Sequence, residues 1–273
     1  MKKTTKLYLL TFLLGIFIPV KAQVAIGKTT PEGMLDLQNN NSIGLVFPKV
    51  ALTASNVQAP VTNPNGGSLV EGTVVFNTNV TNTGANDVSP GIYAWDGSQW
   101  NPQYLREQSE KFEQSPLDIR TETGSTAYNN GSSDWMEVDG IGDGSSFTPK
   151  YSGIYRIETN FNFGAGKINL PSSGKMSMST QEGLFRFTFD GTPHVVYTHS
   201  YSLYNEDLGY YEQFRHDTSQ VFYVNLTAGQ VYPFKVEIDI FVSDGFENNG
   251  DSGDGRGHVG VEKPCTVEFT FIE

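Results

Sequence analysis

Along the second half of the chain, apolar and polar residues alternate with period two. The clearest run is Ser219–Phe241. Tyr232, Phe234, Val236, Ile238 and Ile240 fall on one face, while Lys235, Glu237 and Asp239 fall on the other. Such alternation marks a strand with one buried and one wet face. Phe222, Val224 and Leu226 repeat the pattern just before it, and Thr227-Ala228-Gly229-Gln230 between them predicts a hairpin. Similar runs predict strands over 117–122, 135–138, 146–149, 153–163, 183–190, 194–203, 210–215, 221–226, 231–242 and 266–272. Ten strands with no helix among them predict an all-β head over 115–273, a β-sandwich or jelly roll.

The pattern before residue 115 is different. Residues 23–102 are low in charge and rich in Asn, Thr, Gly and Pro, with short apolar motifs between turns. Gly91–Trp100 carries Asp96-Gly97 between aromatic residues and predicts a hairpin. So few short strands bury little surface in one copy, and packing with other copies would supply the rest. In Gln103–Gln114, Tyr104, Leu105, Gln108 and Phe112 form a weak stripe at spacings of three and four, which predicts a short helical neck over 103–114. At the start, Lys2, Lys3 and Lys6 precede the apolar run Leu7–Val20. Val20 and Ala22 then supply the small residues of a cleavage site, so residues 1–22 read as a signal peptide with Gln23 first in the mature chain. The run is short for a membrane span. The expectation is a secreted or cell-surface protein, with no membrane insertion after cleavage.

Charge and cysteine content narrow the partners. The 273-residue chain carries a net charge of −12. Loss of Lys2, Lys3, Lys6 and Lys21 with the leader takes this to −16. Such an acidic surface argues against nucleic acid or an anionic membrane as partner. The one cysteine, Cys265, precludes an intrachain disulfide and reads as a buried structural thiol.

Three groups of residues could carry chemistry. Asp244–Gly255 is dense in oxygen ligands. Its Asp244, Glu247, Asp251 and Asp254 are the candidate calcium ligands, though the spacing is not that of an EF-hand. The bland alternative is a solvated loop whose Asn, Asp and Gly serve turn geometry. Tyr201, Tyr204, Tyr210 and Tyr211 are candidate ligand-binding residues, since exposed tyrosines anchor sugars and proteins. The third group is Glu237-Ile238-Asp239-Ile240-Phe241, which resembles the catalytic strand of a glycosidase jelly-roll family. The third acid that family needs is replaced here by Phe241 and Val242, so Glu237 and Asp239 read as the wet face of a strand. No catalytic residues are expected.

Two further resemblances complete the sequence picture. Ile26-Gly27 with Pro31, Leu35-Asp36-Leu37, Gly44–Thr53 and Gly91–Trp100 resemble the N-terminal segment of many surface proteins of one Gram-negative bacterial group, and pieces of phage-tail-fibre-like proteins. This implies a trimeric stem. Phe147–Ile157, Asn225–Tyr232 and the aromatic strand Thr266–Ile272 resemble, in order and spacing, the heads of the complement C1q and tumour-necrosis-factor-like family. That implies a ten-stranded jelly roll, homotrimerisation, and calcium near the trimer apex in some members. The functional expectation is non-enzymatic ligand binding, adhesion or surface structure, with an extracellular protein or glycan as ligand. As an alternative, Gly153-Ile154-Tyr155 with Ala228–Pro233 resembles a PA14-type sugar-binding module, which implies sugar binding through a calcium site on a loop.

Overall fold

The computed structural model describes residues 24–37, 44–121 and 135–273. The expected signal peptide lies outside them. The chain divides into two compact units, 1–46 and 47–273. In the first, β1 (Val24–Ile26) pairs in parallel with β2 (Leu35–Leu37), and Lys28 bridges to Asp36 at 2.9 Å. Val24, Ile26, Leu35 and Leu37 remain exposed.

The second unit begins with a small sheet in the order β3 (Lys49–Val50), β4 (Val74–Asn77), β5 (Gly91–Trp95) and β6 (Trp100–Pro102). Its core is Leu52, Leu69, Val75, Val88, Tyr93, Trp95 and Trp100. The Asp96-Gly97 hairpin forms between β5 and β6 as expected. The Asp96 carboxylate accepts from Gln99 N at 2.7 Å and Ser98 N at 2.8 Å, and these bonds hold its pKa below the usual range. Buried Asn77 ties the surrounding loops together. Its Oδ1 accepts from Leu52 N at 2.9 Å, and its Nδ2 donates to Ser89 O at 2.8 Å.

The head is a sandwich of two antiparallel sheets, each of six strands. Its strands in chain order are β7 (Ser109–Glu113), β8 (Ile119–Arg120), β9 (Met136–Glu137), β10 (Ser145–Phe147), β11 (Gly153–Gly164), β12 (Met176–Phe189), β13 (Thr192–Asn205), β14 (Tyr210–Gln213), β15 (Arg215–Leu226), β16 (Tyr232–Val242), β17 (His258–Val259) and β18 (Thr266–Phe271). One sheet runs β7-β18-β11-β17-β8, with β15 also paired along β11. The other runs β10-β16-β12-β13-β14, with β9 on β16. Between them lie Phe147, Tyr155, Ile157, Phe161, Phe185, Phe187, Val236, Ile238, Val267 and Phe269, all fully buried. The inward faces expected from alternation are the ones that build this core.

Three expectations are corrected. Gln103–Gln114 is no helical neck, because Ser109–Glu113 is strand β7, paired antiparallel with β18. A twelve-residue amphipathic segment is a marginal helix alone. Pairing here satisfies its backbone and seats Phe112 against Phe234 (4.9 Å between ring centres) and Phe269 (5.9 Å). Second, Ser219–Phe241 is not a hairpin. β15 belongs to one sheet and β16 to the other, so the turn at Gly229 carries the chain across the sandwich. Both strands keep their apolar faces inward, which alternation predicts equally well for either pairing. Third, β7 and β17 raise the strand count to twelve. Two-residue β17 carries too little pattern to be seen.

The small sheet meets the head at the start of β11. Asp87 accepts a short hydrogen bond from Ser152 Oγ, which in turn accepts from Ala228 N at 2.9 Å. Gln108 Oε1 accepts from Lys150 N at 2.6 Å and Tyr155 Oη at 2.7 Å, and Arg106 lies 5.2 Å from the Phe271 ring centre. From this junction β11 runs twelve residues, roughly 35 Å, to the opposite end of the sandwich.

Candidate functional site

The end of the head away from the junction carries loops that pack backbone on backbone. A Cβ on Gly166 would collide with the Gly255 carbonyl oxygen, and one on Gly255 with that of Glu247. Only glycine allows this approach. Buried Gln181 of β12 joins the two loops. Its Oε1 accepts from Gly166 N at 2.7 Å, and its Nε2 donates to Gly255 O at 2.9 Å and Ser243 Oγ at 3.0 Å. Lys167 N donates to Asp254 O at 2.8 Å, and Glu247 N to Lys167 O at 3.0 Å. Ile168 and Phe246 cap the arrangement in a small apolar cluster with Ala165.

This packing leaves a cleft of about 330 Å³ lined by Arg120, Lys167, Tyr211, Gln213, Asp254 and His258. Arg120 on β8 and His258 on β17 are direct strand partners. A smaller recess beside it adds Asp118 and Arg215. The charges are unequally answered. Lys167 Nζ lies 2.6 Å from Glu247, and that hydrogen bond raises its pKa. His258 Nδ1 bonds Asp118 at 2.5 Å. Burial nevertheless pushes the imidazole below its ordinary pKa, against the upward pull of Asp118. Arg120 has no carboxylate within ion-pair reach among the described residues. Its Nη2 donates to Asp254 O (3.1 Å) and Arg256 O (2.7 Å), and its Nε is buried without a partner. Burial lowers its pKa, partly offset by the field of Asp118.

Of the candidates from sequence, Tyr211 and Asp254 line the cleft, and Glu247 reaches it through Lys167. Tyr204 stands behind Tyr211, with ring centres 4.6 Å apart, and against Phe246. Tyr201 stacks on Phe214 at 4.3 Å. Tyr210 pairs with Asn205, and its side chain lies outside the described residues. Asp244 and Asp251 are exposed and do not join the lining. Among the described residues no three His, Cys, Asp or Glu side chains stand together as a metal would require. Sequence reasoning missed Arg120, Lys167, Gln213 and His258, which sit singly on four segments. The one local signal was Arg256 and His258 closing an otherwise acidic loop.

A second surface lies along the edge where the sheets meet. Three ring pairs close it, two between β13 and β15 and one between β13 and Phe214, the residue just before β15. His194 lies 4.3 Å from Phe222, His199 4.6 Å from His216, and Tyr201 4.3 Å from Phe214. Outside these rivets Val195 (46% exposed), Tyr197 (46%), Val221 (46%) and Tyr223 (63%) face solvent.

Glu237 corrects its expected wet face, because only 4% of it is exposed. Strand β9 covers it, and Arg186 (2.7 Å) and Lys235 (3.0 Å) neutralise its carboxylate, with Arg186 stacked 4.0 Å from Trp135. Cys265 is buried as expected, and burial pushes its thiol up to about 12.

Residues 25–116 match a family described as "Phage tail like trimerisation region". No curated protein matches the chain. Among solved structures, the globular domain of zebrafish complement 1qA protein is similar at 14% identity. That match covers 61% of this chain and 97% of the other, with a TM-score of 0.24.

Proposed function

We propose that this protein is a secreted or surface-exposed homotrimer whose head binds a ligand without catalysis, as an adhesive or structural element. The observation that carries the reading is the apolar strip Val195, Tyr197, Val221 and Tyr223 on the closing edge of the head. In a single copy it stays in water, at a cost that burial against a second copy removes. The likeness of residues 25–116 to a trimerisation region supports three as the number, and the exposed apolar side chains of β1 and β2 support burial against another copy. The basic and apolar leader supports export. The single thiol is protonated at neutral pH and buried, which removes it as a nucleophile.

Sedimentation equilibrium on the chain from Gln23 tests this. Three times the protomer mass is expected at micromolar concentration. Tyr223→Glu, which places a charge on the strip, should shift the protein toward monomer. A monomeric unsubstituted chain would overturn the proposal.

A further inference from the structure

We propose that the cleft at the end of the head away from the junction binds a small acidic sugar, a saccharide bearing a carboxylate or sulfate, with Arg120 holding the anion. This deepens the reading of the head as a binding module and rests on it. The argument begins with the state of Arg120. Its Nη2 donates to backbone carbonyls, Asp118 and Asp254 act on it only through their longer-range fields, and its buried Nε has no partner among the described residues. A half-buried guanidinium that lines a cleft and has no carboxylate within ion-pair reach among the described residues can take an oxyanion on its remaining N–H groups. The neighbouring basic side chains do not compete for that anion, because Lys167 is matched by Glu247, and His258 is bonded to Asp118 with its imidazole held below the ordinary pKa. Asp254 is exposed, so water screens its repulsion of an anion far more than it screens Arg120.

The rest of the lining speaks for a sugar body. A volume of about 330 Å³ exceeds what a bare ion fills and lies at the small end of sites for organic ligands. Gln213 spends its amide nitrogen on Ala165 O at 3.3 Å, which leaves its oxygen to accept from a hydroxyl. The Asp254 carboxylate is a second acceptor, His258 Nε2 is a third because Nδ1 donates to Asp118, and the Tyr211 hydroxyl can both give and take a hydrogen bond. Acceptors and donors beside one cation that has no ion-pair partner among the described residues are the complement of a polyol carrying one anionic group. The acidic character of the whole chain makes this site a local exception rather than part of a general cationic surface.

The test is calorimetric titration of the full chain from Gln23 with four probes: glucuronate, galactose 6-sulfate, glucose and inorganic sulfate. Binding of one of the acidic sugars, tighter than either glucose or inorganic sulfate, is expected. Arg120→Gln should weaken it about tenfold to a hundredfold. That variant also loses the bonds to the 253–256 loop, so Gln213→Glu serves as the second. It adds a negative charge to the cleft, keeps the Arg120 bonds, loses only the long bond to Ala165 O at 3.3 Å, and should abolish acidic-sugar binding with a smaller fall in melting temperature than Arg120→Gln. Equal binding of glucose, or of inorganic sulfate, overturns the proposal, the latter as an adventitious ion only. Unchanged binding in Gln213→Glu overturns it as well. A trimer that binds none of the four probes sinks this inference and leaves the trimeric head standing, since sedimentation reads the latter independently.

Discussion

The two ends of the head are built by different physics. Near the junction, aromatic rings fill the sandwich: Phe147 stacks on Phe269 at 4.2 Å, and Tyr151 and Tyr155 each meet Phe271 at 5.3 Å. At the other end, Gln181, Ser202 and Asn162 are buried, and loops are held by hydrogen bonds to backbone. Apolar packing is non-directional and sums over area, so it suits an end that must be stable. Hydrogen bonds are directional and net little energy each, so they suit an end that must hold particular groups in place. The cleft lies at the second kind of end. Apolar packing and directional hydrogen bonding are thus separated along β11.

This comparison can be broken at either end. The largest effect is expected for Phe269→Ala, which removes a fully buried ring touching Phe147, Phe112 and Phe234. About 3–5 kcal/mol of stability should be lost, read as a lower denaturant midpoint at unchanged slope. Gln181→Ala comes next. It leaves Gly166 N and Gly255 O without their partner and should cost about 2–3 kcal/mol. Unlike Phe269→Ala, it should also speed amide exchange around 166–168 and 253–256. If exchange there is unchanged, the loops are not held by Gln181. The smallest effect is expected at the junction. Burial pushes the Asp87 carboxyl up, but bonds from Ser152, Thr83 N, Thr81 and Gly84 N outweigh it and leave the pKa below 3.8. A folded-state pKa below the unfolded one contributes stability that is present above about pH 4 and lost as pH falls through the folded value. Asp87→Asn should cost about 1 kcal/mol at neutral pH and flatten acid sensitivity between pH 4 and 2. Equal acid midpoints for the two proteins would remove Asp87 from the junction.

The strands of the head were legible because each carries its own record. Val267, Phe269 and Phe271 alternate with polar neighbours, and the alternation is the same whichever strand lies alongside. For that reason the pairing of β15 was not legible. Ser109–Glu113 misled because its single large apolar residue, Phe112, fits either a helical stripe or an alternating strand. A third of the cleft lining was visible, Tyr211 and Asp254, because tyrosines and acids cluster locally in sequence. Arg120, Lys167, Gln213 and His258 come from four segments, and a lone polar residue on a strand looks the same whether it faces bulk water or a cleft.

By itself the sequence determined the all-β class, the inward faces, the buried thiol and the Asp96-Gly97 turn, all of which depend on residues close in the chain. Only the tertiary structure decided that Ser219–Phe241 crosses between sheets, that Glu237 is buried and paired with Arg186, and that Arg120 lines a cleft with no carboxylate within ion-pair reach among the described residues. Those properties depend on which distant segment arrives alongside. Local alternation specifies a face for each strand, and many partners satisfy the same face.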